Sequence, residues 1–180
     1  MAVSFSKGGA HEHREGLVVR FYPGKSEPWV GNFIGGITGC NIVLDHPNET
    51  YIIVVAQGEA FIVDPERRAV LDRMRTDIKQ VISLTPLGSV VFQGLTDFSA
   101  IKADGSSWRS PRISWDGFRN VKVRETELSG EAYTPIMDAW VPFKLDLLTG
   151  HCTDGIYEKE IATATLVSRS KETKNSRGAD

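Results

Sequence analysis

The chain has 180 residues, 41% of them hydrophobic and 24% charged, with a formal net charge of −2. These proportions suit one globular domain that buries a full core without disulfides or metals. A near-neutral balance argues against nucleic acid as a partner, because phosphate binding needs a clustered positive field.

Two cysteines, Cys40 and Cys152, imply no disulfide framework and are read as reduced thiols. The opening MAVSFSKGGAHEHREG has no apolar core of a secretory signal, and the longest apolar run is Ile52–Ala56. A cytoplasmic location without a membrane partner is the expectation.

Along the chain, residues 1–16 are polar and glycine-rich and are read as a flexible arm. Residues 17–22, 29–34 and 38–44 are candidate strands, separated by Pro23-Gly24, Gly35-Gly36 and Asp45-His46-Pro47-Asn48. Residues 51–56 form a continuous apolar run, as in a strand covered on both faces. Residues 58–63 follow Gln57-Gly58 and complete a hairpin.

Asp64-Pro65-Glu66 then has the form of a helix start, and Val70, Leu71, Met74 and Ile78 recur at helical spacing. A short helix over 65–74 is expected, with a turn and a further strand as the competing reading. Strands resume at 80–84, 89–92, 96–102, 107–115, 118–124, 127–133 and 139–147. Asp104-Gly105 and Asp116-Gly117 mark turns. In the last of these strands Val141, Phe143, Leu145 and Leu147 alternate with Trp140, Lys144 and Asp146, the pattern of a half-buried strand. Residues 157–167 add a final strand or short helix.

Ten or more short strands define an all-β or strongly β-dominated domain over 17–167, either an antiparallel, propeller-like meander or an open sandwich. Residues 168–180 hold no large apolar side chain and are read as a disordered tail. A four-residue echo, Gly58-Glu59-Ala60-Phe61 and Gly130-Glu131-Ala132-Tyr133, hints at repeated units.

No catalytic motif stands out. His11 with His13, and His151 with Cys152 and Asp154, are weak metal candidates, because zinc needs three or four converging ligands. Neither cysteine is read as a catalytic nucleophile, and no nucleophile elbow or phosphate loop occurs. No cofactor is expected.

The densest feature is RISWDGFRNVKV with the residues just before it. It brings Trp108, Arg109, Arg112, Trp115, Asp116, Phe118 and Arg119 close together in sequence. Tryptophan and arginine are enriched at binding hot spots, and guanidinium over indole is favourable within a fold as well. Period-two alternation reads the stretch as a hairpin turning at Asp116-Gly117. It puts Ile113 and Trp115 on the core face, groups Arg119 with Val121 and Val123, and offers Asp116 as the partner of Arg119. Packed hairpin and partner-binding face are the two readings.

WVGNF at 29–33, HPN at 46–48, VVAQGEAFIVDPE at 54–66, WRSPRISWDGFRNV at 108–121 and GEAYTPIMDAWVPFKLDLLTG at 130–150 together resemble a group of uncharacterised β-rich bacterial proteins. The resemblance covers about residues 18–157 and implies no chemistry. The strand pairs are also loosely similar to β-propeller blades.

The first expectation is a non-enzymatic protein-binding protein. One form of it, suggested by size, compartment, mild acidity and the missing catalytic set, is an immunity protein that neutralises a bacterial toxin. A small hydrolase or metal-dependent enzyme and a structural subunit assembling through sheet edges are the alternatives.

Overall fold

The computed structural model describes residues 3–6 and 15–154. His11, His13, the element expected over 157–167 and the tail 168–180 lie outside the described residues. Two compact units divide the chain, Met1–Arg109 and Ser110–Asp180. The described residues are all-β apart from one 3-10 turn, Thr85–Leu87, and their four sheets do not close into a barrel.

The first unit holds three sheets. β1 (Val3–Phe5), β2 (Leu17–Phe21) and β3 (Trp29–Phe33) form one with β3 central. β4 (Ile42–Asp45), β5 (Ile52–Ala56), β6 (Glu59–Asp64) and β7 (Ala69–Met74) form a four-stranded antiparallel meander. β8 (Gln80–Leu84), β9 (Ser89–Gln93), β10 (Phe98–Lys102) and β11 (Ser107–Arg109) form another.

The apolar run at 52–56 is covered on both faces, as its composition requires. Val54, Ala56, Phe61 and Val63 pack with Phe21, Trp29 and Phe33 of the first sheet. The alternate residues Ile53, Val55, Ala60 and Ile62 pack with Ile78, Val90, Phe92 and Ile101 on the other side. The β5–β6 turn is the expected two-residue one, with positive φ at both Gln57 and Gly58.

Several local readings give way to tertiary pairing. Residues 65–74 are not a helix. Asp64 does cap, its Oδ1 accepting from the amides of Glu66 (3.0 Å) and Arg67 (2.9 Å). The chain then turns at Arg68 (φ 55°) and β7 runs back along β6. β6 is buried along its length, and its unpaired backbone groups would otherwise lack partners. Part of the arm is also strand: Val3–Phe5 pairs in parallel with β3, and Phe5 stacks on Phe33 at 5.0 Å. The strand expected over 38–44 is confined to Ile42–Asp45. That expected over 107–115 ends at Arg109.

The second unit holds β12 (Phe118–Arg124), β13 (Glu127–Thr134), β14 (Ala139–Asp146) and β15 (Cys152–Thr153), an antiparallel meander in that order. Cys152–Thr153, beside the weak metal candidates His151 and Asp154, thus contributes a short edge strand. Leu128, Ala132, Thr134, Val141, Phe143, Leu145 and Cys152 occupy its buried face. The alternation expected over 139–147 is present.

Candidate protein-binding surface

The outer face of the second unit's sheet is set by cross-strand register. Glu127 pairs with Asp146, Ser129 with Lys144, Glu131 with Pro142 and Tyr133 with Trp140. On the other side of β13, Arg119 lies opposite Glu131, and Lys122 opposite Ser129. A bulge between Arg119 and Lys122, with Asn120 at φ 55°, inserts one residue and reverses the alternation. Arg119 therefore sits on the exposed face with Lys122, and not with Val121 and Val123 as strict alternation placed it.

The partner of Arg119 is Glu131, not Asp116. Its Nε donates to Glu131 Oε2 at 3.0 Å and its guanidinium lies 4.6 Å from the Trp140 ring centre. Asn120 Nδ2 donates to the same carboxylate oxygen at 2.6 Å. Hydrogen bonds from Arg119 and then Asn120 hold the Glu131 carboxyl below its ordinary range, so it stays an anion. Trp140 also meets Tyr133 with ring centres 5.5 Å apart. The Tyr133 hydroxyl donates to Asp138 at 2.8 Å, and this bond first of all raises its titration above that of a free phenol.

Asp116-Gly117 is not the turn of a hairpin. Trp115 N–H donates to Tyr133 O at 3.0 Å, and Ser114 Oγ donates to Gly117 O and accepts from Tyr133 N–H. The segment before β12 is thereby pinned to the end of β13. Ser114 is fully buried next to buried Ile113, whereas Trp115 is 38% exposed and not part of the core. The buried hydroxyl satisfies backbone groups at the strand end, a use of serine that period-two reading cannot detect. Arg112 lies over Trp115 at 4.3 Å and donates from Nε to Ser114 O at 3.0 Å.

The seven residues of the sequence cluster are divided between the two units. Trp108 and Arg109 belong to β11 of the first unit, where Arg109 pairs with Asp97 at 2.7 Å. Arg112, Trp115, Asp116, Phe118 and Arg119 belong to the second unit. Residues that the sequence reading did not single out complete this second group: Tyr133, Trp140, Glu131 and Asn120. So do Ile136 and Met137 at the tip of the β13–β14 turn, 68% and 60% exposed. The visible clue was Trp140 alternating with buried Val141, but its neighbours across the sheet are invisible without register.

Asn120 and Glu131, with Lys122, Ser129 and Lys144, line a hollow of about 810 Å³. Asp154, one of the weak metal candidates, also lines it. His151 is exposed, with its backbone amide donating to Thr149 Oγ1 at 3.2 Å. Among the described residues no three histidine, cysteine or acidic side chains are placed to hold a metal ion. Cys40 and Cys152 are not joined in a disulfide, and burial pushes Cys40 above its usual value, away from the thiolate.

The arrangement offers recognition by contact. Two of its arginines lie over indoles, Glu131 is already bonded, and Ile136 and Met137 are exposed in the adjoining turn. No protein-family model, curated protein or solved structure matches the chain. Among the described residues, fold and surface define an all-β protein with three antiparallel four-stranded meanders, the last of which presents an aromatic, arginine-clamped face.

Proposed function

We propose that the chain is a non-enzymatic protein-binding protein and that the β13–β14 end of the second unit carries the contact. The supporting observation is that the turn joining Tyr133 to Trp140 exposes Ile136 and Met137, while Arg119 lies over Trp140 and Arg112 over Trp115, whose amide donates to Tyr133 O. Tryptophan, tyrosine and arginine are the side chains on which binding energy concentrates. Because Arg112 and Arg119 are already held in place, less side-chain freedom is lost on association.

An immunity protein that masks a bacterial toxin in the cytoplasm is one form of this proposal. It rests on the size, the mild acidity and the absence of a catalytic motif in the sequence. No described helix is long and apolar enough to cross a membrane. The architectural reading belongs with it: each four-stranded meander has the strand connectivity of a propeller blade.

A photo-crosslinking residue placed at Ile136 in the native host tests the contact. The expected outcome is one dominant adduct, lost when Trp115 and Trp140 are both changed to Ala in a variant that remains folded. Adducts spread over many proteins, or the same adduct after the double change, would refute the proposal. If the captured partner is a toxin, the immunity form stands; if it is not, that form falls and the binding reading survives.

A further inference from the structure

The turn between β4 and β5, in the first unit, closes around a histidine. His46 is only 7% exposed. Its amide donates to Tyr51 O at 3.0 Å, and its carbonyl accepts from the Glu49 amide at 2.8 Å. The ring Nδ1 accepts from the Asn48 amide at 3.1 Å, and the ring meets that of Tyr51 edge-on, with centres 5.9 Å apart. Asn48 Oδ1 in turn accepts from the amides of Thr50 at 3.0 Å and Tyr51 at 3.2 Å. The bonds that shape the turn therefore meet at one ring nitrogen.

That nitrogen accepts only while the ring is neutral. A second proton makes it a donor, and two donors would then face each other at hydrogen-bond distance. The turn is also strained: Glu49 sits at φ 58°, in the left-handed region that a side chain disfavours. The hollow beside His46 is lined from the turn by Asp45 and Glu49, both exposed, and from across it by uncharged Ser83, Thr85 and Ser89. The two carboxylates favour a cationic ring, but water screens them. Burial, against a smaller upward pull from Asn48, holds the ring below the ordinary histidine value.

We propose that His46 is an acid-operated latch: a second proton on its ring releases Asn48 and opens the turn over residues 45–51, while the β5–β6 hairpin stays folded. The asymmetry follows from packing. β5 and β6 are covered on both faces, whereas β4 is an edge strand paired on one side only. The latch holds fully above the unfolded histidine value of about 6.5, and its hold is lost as pH falls toward the lower folded value. Opening loosens the end of β4, whose Ile42 and Val43 are exposed, so acid changes what this edge presents.

NMR of the full chain between about pH 5 and pH 8 tests it. The His46 ring is expected to titrate below about pH 6.5. The amides of Asn48, Glu49 and Tyr51 should shift with the same midpoint and lose exchange protection by up to about tenfold per pH unit. Amides of β5 and β6 should keep theirs. His46→Asn retains a side-chain acceptor and takes up no proton, so its turn should stay closed across the range. Asp45→Asn/Glu49→Gln should keep the transition and move its midpoint further down. A ring midpoint at or above the ordinary value would overturn the proposal. So would turn amides that do not follow the ring, loss of β5 and β6 protection in the same step, a transition that persists in His46→Asn, or one abolished by the double change. If His46→Asn does not fold, the ring and amide midpoints of the unaltered chain still decide.

Discussion

The two units each organise arginines around carboxylates, with opposite consequences. In the first, Arg75 is nearly inaccessible, its side chain 5% exposed. It bonds Asp77 through two nitrogens at 3.0 and 2.9 Å and meets Asp97 at 2.5 Å. Asp97 in turn receives Arg109. Gly94 makes room, since a Cβ there would collide with the Arg75 guanidinium. In the second unit, Arg119 is about half exposed, bonded to Glu131 and laid over Trp140. The same residue types thus tie loops together in one place and dress a surface in the other. Burial decides between these roles: a desolvated charge must keep its partners, while an exposed one can exchange them for water or for another protein.

The comparison can be broken from the buried side first. Asp97→Ala removes the anion between two arginines and should cost about 3–5 kcal/mol in denaturant unfolding, as expected when a buried pair loses one member. A change near zero would show that the buried network is not structural. Gly94→Ala should cost about 1–3 kcal/mol, by forcing a methyl group against the Arg75 guanidinium. On the exposed side, Trp140→Ala removes the surface stacked by Arg119, a contact worth about 0.5–1 kcal/mol in such settings. Partner capture should suffer more than stability does.

A pH series sharpens the contrast. Burial pushes Asp77 upward, but the Arg75 hydrogen bonds, the Leu95 amide and the Arg75 charge outweigh it and hold the carboxyl below its usual range. Its stabilisation is therefore complete above the unfolded aspartate value, about pH 4, and is lost as pH falls through the lower folded value. Asp77→Asn should flatten that acid limb in an unfolding series. The smallest effect belongs to Glu131→Gln. The depressed carboxyl acts in the same direction, but its side chain stays partly open to solvent and its ion pair is screened, so the unfolding midpoint should stay within error at neutral pH.

Much of the fold was legible from local pattern. The run at 52–56 implied a strand covered twice, and the alternation over 139–147 assigned its faces. The turns at Gln57-Gly58 and Asp104-Gly105 followed from residues that accept positive φ. The misreadings share a cause. Helical spacing at Val70, Leu71 and Met74 competed with the demand of β6 for a hydrogen-bonded neighbour, and the demand won. Strict alternation failed at Asn120 because a bulge adds a residue without leaving a compositional mark. The candidate surface was half visible: Arg112, Trp115 and Arg119 stood out, but Tyr133, Trp140 and Glu131 joined them only through strand register.

The GEAF and GEAY echo teaches the same lesson. Glu59 is buried at the start of a third strand, whereas Glu131 lies on the outer face in the middle of a second. Four shared residues therefore serve different ends. Sequence by itself determined the all-β class, most strand positions and the turn chemistry, because hydrophobic period and backbone preference are local properties. Tertiary structure alone decided which arginine is buried, which carboxylate it meets and which aromatic faces outward. Those depend on pairing register and burial, which bring together residues that the chain keeps far apart.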